Sequence, residues 1–82
     1  MYNVEFSKKA EEQLSKLEVE IQERVINVLE RIKIRPFSFV KHLVNSPYYR
    51  LRVSDYRVIL DIRQDKLIIF VIELGHRKNI YD

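Results

Sequence analysis

Hydrophobic and polar residues along the first half of the chain follow the period of a strand and then the period of two helices. Residues 2–6 alternate between apolar and polar, which predicts a half-buried strand, and Ser7 follows as the predicted N-cap of a helix. The apolar positions of this first helix are Ala10, Leu14 and Leu17. A second helical stripe consists of Ile21, Val25, Val28, Leu29 and Ile32. Pro36 ends the second helix, so an antiparallel helical hairpin is the simplest arrangement.

The second half of the chain predicts three strands joined by short turns. The strands span residues 48–53, 56–63 and 67–74, and residues 36–47 before them are predicted to form a loop. The third strand is apolar on both faces, which is typical of a central strand. We therefore place it between the rest of this antiparallel meander and the N-terminal strand. The prediction is one α+β domain over residues 1–82, with both helices on one face of a four-stranded, largely antiparallel sheet.

Composition narrows the classes of function. Hydrophobic residues make up 46% of the chain and charged residues 33%, which is an ordinary globular balance. The chain has no cysteine, which excludes disulfides and cysteine-based zinc sites and fits a cytoplasmic protein. His42 and His76 are the only histidines, and neither has a histidine four residues later, so we expect no metal site. We expect no other cofactor. No apolar run approaches the roughly 20 residues of a membrane span, so no membrane partner is expected.

Positive charge is concentrated in the second half, which holds eight Lys and Arg against five Asp and Glu. Strand alternation places Arg50, Arg52 and Arg57 on the sheet face opposite the helices, with Arg52 directly across from Arg57. Like charges in a cross-strand pair are destabilising, by up to roughly 1 kcal/mol. One interpretation is that the arginine stems cover apolar neighbours while their charged ends reach solvent. The other is that they bind a polyanion, because guanidinium groups pair with two phosphate oxygens at once.

Two further sets of residues are predicted on or near this face. Ile68, Phe70 and Ile72 form an apolar stripe, which indicates either a partner interface or a surface covered by the 36–47 loop or the C-terminal tail. The tail after Gly75 carries four residues that we expect at the edge of the arginine face: His76, Arg77, Lys78 and Tyr81. A single histidine or tyrosine is usually structural, whereas arginine, histidine and tyrosine around one patch indicate a catalytic site.

The chain resembles the RelE/ParE superfamily of type II toxin–antitoxin toxins, and most of all its short RelE-like members. The resemblance lies in the order of elements, in the hairpin "YYRLRVSDYRVIL" and in the tail "IELGHRKNIY". The resemblance covers essentially the whole chain. It implies a metal-independent endonuclease that cuts mRNA in the ribosomal A site by attack of a ribose 2′-hydroxyl. It also implies a cytoplasmic toxin whose partners are the ribosome, mRNA and a small RelB-like antitoxin that covers Ile68, Phe70 and Ile72.

The resemblance implies roles for individual residues. The catalytic set is Arg57, Arg77, Tyr81 and His76, and the set that holds RNA phosphates is Arg50, Arg52, Lys41 and Lys78. Well-known members carry lysines where this chain has Arg50 and Arg52. Arginine cannot be deprotonated in a protein, so these two residues are not general bases. Proton transfer is then left to His76, Tyr81 or a ribosomal group.

Two alternatives stay open at this point. ParE-like members share the fold, poison DNA gyrase and generally lack the basic and aromatic catalytic set. A degenerate toxin would bind an antitoxin or nucleic acid without catalysis.

Overall fold

A five-stranded mixed sheet carries two helices on one of its faces. The structure is a computed structural model, and it describes residues 1–78. The elements in chain order are β1 (Asn3–Phe6), α1 (Lys8–Ser15), α2 (Val19–Arg31), a 3₁₀ turn (Pro36–Ser38), β2 (Lys41–His42), β3 (Tyr49–Val53), β4 (Tyr56–Arg63) and β5 (Ile68–His76). The strands lie in the order β1-β5-β4-β3-β2. β1 runs parallel to β5, and the other neighbouring pairs are antiparallel.

The predicted α+β architecture is confirmed, and the strand count is corrected from four to five. The third strand of the meander, β5, lies between β4 and β1 as its two apolar faces predicted. The additional strand is β2, which pairs with β3 inside the segment predicted to be a loop. Two residues are too few to show an alternating pattern in the sequence, so this strand carried no signal of its own.

The hydrophobic core fills the space between the helices and one face of the sheet. The helices contribute Ala10, Val25 and Leu29, and Ile32 follows directly after α2. The strands contribute Leu51, Val53, Val58, Leu60, Ile62, Ile69, Val71 and Leu74. These strand residues share one face through most of the sheet, as period-2 alternation requires, and they leave the opposite face to polar and charged side chains.

Beyond the end of β1, two side chains hydrogen-bond to the backbone edge of β5: Ser7, which caps α1, and Gln13 within α1. Ser7 caps α1 by accepting a hydrogen bond from the Ala10 backbone N–H (3.0 Å), and its hydroxyl donates to the carbonyl of Ile72 (2.7 Å). Farther along the same edge, the backbone N–H of Leu74 donates to Oε1 of Gln13 (2.8 Å). Because a buried sheet edge needs partners for its backbone groups, α1 takes over the function of a strand beyond β1.

A β-bulge in β5 sets which residues face away from the helices. Leu60 pairs with Val71, but Ile59 pairs with Glu73, so Ile72 is an extra residue without a cross-strand partner. The bulge reverses the alternation beyond it. Leu74 consequently enters the core beside Val58, whereas strict alternation would have turned it to the opposite face.

Candidate functional site

The sheet face opposite the helices, called here the basic face, carries a dense group of cations. Its described members are Lys41, Arg50, Arg52, Arg57 and Arg63, placed there by strand alternation. Arg50 pairs across the strands with Lys41, and Arg52 pairs with Arg57. The predicted opposition of Arg52 and Arg57 is therefore confirmed. The two-residue turn at Ser54–Asp55 fixes this register and so brings the arginines together.

Neighbouring arginines affect the electrostatics of Arg50 on the basic face. Burial, followed by repulsion from Arg57 and then from Arg52, lowers the pKa of Arg50 below its ordinary value. Arg50 and Arg57 are half-buried, and Arg52 is exposed. Arg50 still carries its charge, because guanidinium groups in proteins do not lose their proton. The fold thus holds three positive charges within reach of one another.

The described carboxylates on this face contact cations at its margins. Nη1 of Arg63 lies 3.9 Å from Oδ2 of Asp61, and Nε of Arg63 lies 3.8 Å from Oδ1 of Asp65 in the next turn. Glu73 pairs with Lys9 of α1 at 3.1 Å. These exposed or partly exposed pairs add little stability. In these pairs, Asp61 and Glu73 each contact a cation other than Arg52.

An apolar cluster interrupts the basic face near its centre. Leu43, which follows β2, packs on Ile59 and Ile72. The backbone N–H of Leu43 donates to the carbonyl of Tyr48 (3.0 Å), which holds the loop over this cluster. Part of the predicted apolar stripe is therefore covered by the 36–47 segment. A single leucine in a loop has no periodic signal, so sequence reasoning missed Leu43.

The other two members of the apolar stripe lie at the opposite end of β5. Phe70 pairs with Asp61, and Ile68 pairs with Arg63. Both are half-buried. Their place beside these charged residues leaves an amphipathic surface at the margin of the basic face.

The beginning of the tail is anchored to the β3–β4 turn. The backbone N–H of Arg77 donates to the carbonyl of Asp55 (2.9 Å). The neighbouring turn residue Ser54 has a φ of 53°, and its hydroxyl accepts a hydrogen bond from Arg24 of α2. The turn therefore joins α2 to the tail. It places the backbone of Arg77 close to the strand ends that carry Arg52 and Arg57.

His76 is separated from the arginines by the sheet. It pairs with Tyr56, and the two rings make an edge-on contact with centroids 5.5 Å apart. The bulge in β5 causes this placement, because it turns His76 to the helix face and Gly75 to the basic face. Nδ1 of His76 also accepts a hydrogen bond from the Lys78 backbone N–H (3.2 Å). These contacts hold the His76 ring between Tyr56 and the Lys78 backbone.

The remaining predicted site residues have less defined surroundings. Lys41, Arg77 and Lys78 are exposed, and Tyr81 lies outside the described residues. Within residues 1–78, no three His, Asp or Glu side chains lie close enough together to hold a metal ion. No helix in that part of the chain is long and apolar enough to cross a membrane.

The fold is similar to that of solved RelE toxins. The structure of the toxin–antitoxin complex RelBE2 from Mycobacterium tuberculosis matches with a TM-score of 0.86 and 23% identity, covering 93% of this chain and 98% of that chain. An archaeal RelE–RelB complex from Pyrococcus horikoshii matches with a TM-score of 0.81 and 24% identity over 96% and 98% of the two chains. The intact E. coli RelBE complex matches with a TM-score of 0.79 and 26% identity over 93% and 96%.

Sequence comparisons place the chain in a family. No curated protein sequence matches it significantly. The model of the family described as the ParE toxin of the type II toxin–antitoxin system parDE matches residues 4–81, which is nearly the whole chain. The chain therefore belongs to the ParE toxin family, and it is a toxin of a type II toxin–antitoxin system in the RelE/ParE superfamily.

Proposed function

We propose that this toxin is a metal-independent endoribonuclease that cuts mRNA in the ribosomal A site. The observation that carries the proposal is the group of Arg50, Arg52 and Arg57 on one sheet face, with the backbone of Arg77 anchored beside it. Like charges in a directly opposed cross-strand pair, as in Arg52 and Arg57, repel each other. A bound polyanion relieves that repulsion, because each phosphate brings negative charge between the guanidinium groups.

The proposed reaction is in-line attack of a ribose 2′-hydroxyl on the adjacent 3′-phosphate. The new bond joins the 2′-oxygen to phosphorus, the bond to the 5′-oxygen breaks, and the products are a 2′,3′-cyclic phosphate and a 5′-hydroxyl. Arg57 and Arg77 stabilise the charge on the phosphoryl oxygens in the transition state. Arg50 and Arg52 hold flanking phosphates, and Lys41 and Lys78 extend the basic surface at either side.

Proton transfer needs a group other than these arginines. The attacking hydroxyl gives a proton to a base and the leaving oxygen takes one from an acid, and guanidinium groups, which keep their protons, serve as neither. Since the contacts of His76 are with Tyr56 and Lys78, we assign the proton role to Tyr81 or to a ribosomal group. Changing Tyr81 to Phe separates proton transfer from base stacking, because stacking needs only the ring. Unchanged cleavage by that variant would exclude the proton role.

Dependence on the ribosome follows from the sparse catalytic set. A site without a fixed acid and base gains most of its rate from substrate that is held in the reactive geometry. The ribosome holds mRNA in this way, so we assign the toxin to the cytoplasm, where ribosomes are. The proposal predicts slow cleavage of naked mRNA. Equal rates on naked and ribosome-bound mRNA would contradict it.

A small antitoxin is the proposed protein partner. The solved relatives from M. tuberculosis, P. horikoshii and E. coli are complexes of a toxin with its antitoxin. On this chain, Ile68 and Phe70 beside the cations of the basic face fit an antitoxin segment that is apolar and acidic. Co-purification of a small acidic protein from cells that express the complete operon tests this proposal. Recovery of a stable, harmless monomer would contradict it.

Gyrase inhibition is the second candidate function. The matching family model is that of ParE toxins, and lysines are absent at positions 50 and 52. The retained Arg57, Arg77 and Tyr81 favour the nuclease. Primer extension on a reporter mRNA, set against plasmid supercoiling in the same induced cells, separates the two activities.

The decisive variant in that experiment is Arg57→Ala. A matched control is Arg63→Ala, because Arg63 lies on the same strand and face but contacts Asp61 and Asp65. The nuclease proposal predicts cleavage by wild type and by the Arg63 variant, and loss of cleavage by the Arg57 variant. Changed supercoiling with intact mRNA would support gyrase inhibition instead.

A further inference from the structure

The end of β5 continues past the strand that pairs with its outer edge. β1 pairs with β5 only as far as Val71, whereas β5 runs on to His76. Within residues 1–78, no strand lies along that edge beyond Val71. The tail begins directly after it with Arg77, so the contacts that hold this end of β5 also set where the tail begins.

α1 holds the end of β5 through one side chain. Oε1 of Gln13 accepts a half-buried hydrogen bond from the backbone N–H of Leu74 (2.8 Å). The Leu74 side chain lies in the core, three residues before Arg77. An apolar side chain at position 13 would leave the Leu74 N–H without this acceptor, and an unpaired N–H away from water favours local opening.

α2 holds the start of the tail through the β3–β4 turn. Nη1 of Arg24 donates a hydrogen bond to Oγ of Ser54, and the carbonyl of the next residue, Asp55, accepts from the backbone N–H of Arg77 (2.9 Å). Ser54 has a φ of 53°, in the left-handed region that glycine adopts more readily than serine. The hydroxyl is what serine offers over glycine at this position, and its partner is Arg24.

We propose that Gln13 and Arg24 are positioning residues, through which the two helices hold the tail beside the arginines of the basic face. Gln13 acts through the backbone of Leu74, and Arg24 acts through the turn that binds the backbone of Arg77. Neither residue contacts RNA in this proposal. Its meaning for cleavage rests on the proposed function, in which Arg77 acts on the reacting phosphate. A displacement of about 1 Å at such a group costs about 100-fold in rate.

Amide hydrogen exchange tests the contact from α1 without any need for catalysis. Gln13→Met keeps the length of the side chain and loses the acceptor, whereas Gln13→Glu keeps an acceptor oxygen. We expect the Leu74 amide to exchange at least about tenfold faster in Gln13→Met and at the wild-type rate in Gln13→Glu. The amide of Leu29, inside α2, reports on the fold as a whole and should keep its wild-type rate.

The same measurement tests the contact from α2. Arg24→Met loses the donor to Ser54, whereas Arg24→Lys keeps one. We expect the Arg77 amide to exchange several-fold faster in Arg24→Met and at the wild-type rate in Arg24→Lys. The matched control is Arg31→Met, which removes the same charge from the last turn of α2 and should leave the Arg77 amide unchanged. Unchanged exchange at Leu74 and at Arg77 in both methionine variants would overturn the proposal.

Steady-state cleavage of ribosome-bound mRNA tests what the positioning does. We expect Gln13→Met and Arg24→Met to lower kcat at least about tenfold with little change in KM, because Arg50 and Arg52 still hold the RNA. Gln13→Glu, Arg24→Lys and the control Arg31→Met should cut at the wild-type rate. Rescue by the two conservative variants separates a lost hydrogen bond from a changed surface.

The two proposals fail in different ways. If wild type does not cut mRNA on ribosomes, the nuclease proposal fails, and the exchange rates of Leu74 and Arg77 still decide whether the helices hold the tail. If wild type cuts mRNA and both folded methionine variants cut within threefold of it, the nuclease proposal stands and the positioning role is refuted. Equal acceleration at Leu29 would also refute that role, because the variants would then weaken the whole fold.

Discussion

Replacing Arg52 by Gln should stabilise the fold while it weakens the proposed RNA site. Arg52 is exposed and pairs directly with Arg57, and its charge also contributes to the lowered pKa of Arg50. Glutamine keeps most of the side-chain stem, so the change removes charge with little loss of packing. The expected result is a higher free energy of unfolding in a protein that binds polyanions less well.

The size of the effect follows from the pairing. Cross-strand charge pairs change stability by about 0.2–1 kcal/mol. Two unit charges about 7 Å apart in water repel by about 0.6 kcal/mol, which agrees with that range. We therefore expect a gain of about 0.5 kcal/mol for Arg52→Gln. For a domain of this size the gain raises the melting temperature by about 2–4 °C.

Urea unfolding at low and high salt measures this prediction. At low ionic strength Arg52→Gln should be more stable than wild type. At 1 M salt, where the Debye length is about 3 Å, the difference should shrink towards zero. The control is Arg63→Gln on the same face, because Arg63 lies near Asp61 and Asp65. Its loss of attraction should leave stability unchanged or slightly lower.

The reasoning would be refuted if Arg52→Gln and Arg63→Gln lowered stability alike. It would also be refuted if the effect of Arg52→Gln did not depend on salt. Either result would mean that the arginines of the basic face do not repel one another, and that the fold bears no cost for grouping them.

Three further predictions concern the scaffold and the RNA site. Ser7→Ala removes the cap of α1 and the hydrogen bond to the Ile72 carbonyl, so the free energy of unfolding measured in urea should fall by about 1–2 kcal/mol. The control Ser38→Ala, at an exposed serine, should leave it nearly unchanged. Leu60→Ala empties a fully buried position and should cost about 2–5 kcal/mol by the same assay; a loss below 1 kcal/mol would contradict the core described above. Binding of a labelled RNA oligonucleotide, followed by fluorescence anisotropy, should weaken as salt is added. Three phosphate contacts at about −0.7 each predict a slope near −2 for the logarithm of the binding constant against the logarithm of the salt concentration. A slope near zero would exclude the three phosphate contacts.

Much of the fold could be predicted from the sequence because its elements are strongly periodic. The alternation of β4 and the apolar stripe of α2 each repeat several times, so one irregular residue does not hide them. β2 and the bulge at Ile72 are different, because each involves only one or two residues. Their formation depends on neighbouring strands that are distant in sequence. Local patterns contain no information about such pairings.

The positions of the arginines on the sheet were predictable to the same extent. Arg52 and Arg57 follow from a two-residue turn and alternation, and the structure places them opposite each other. The position of His76 does not follow from alternation, since the bulge reverses the faces of β5 before that residue. Gly75 reaches the basic face for the same reason. A single insertion in one strand thus exchanges which tail residues can meet the arginines.

The most direct test of the central claim is the rate of mRNA cleavage on programmed ribosomes, measured with purified toxin and with Arg57→Ala. The proposed transition-state role of Arg57 predicts that wild type produces fragments ending in a 2′,3′-cyclic phosphate and that the variant is slower by at least about 100-fold. Equal rates for the two proteins, or intact mRNA with wild type, would contradict a function of the basic face in RNA cleavage.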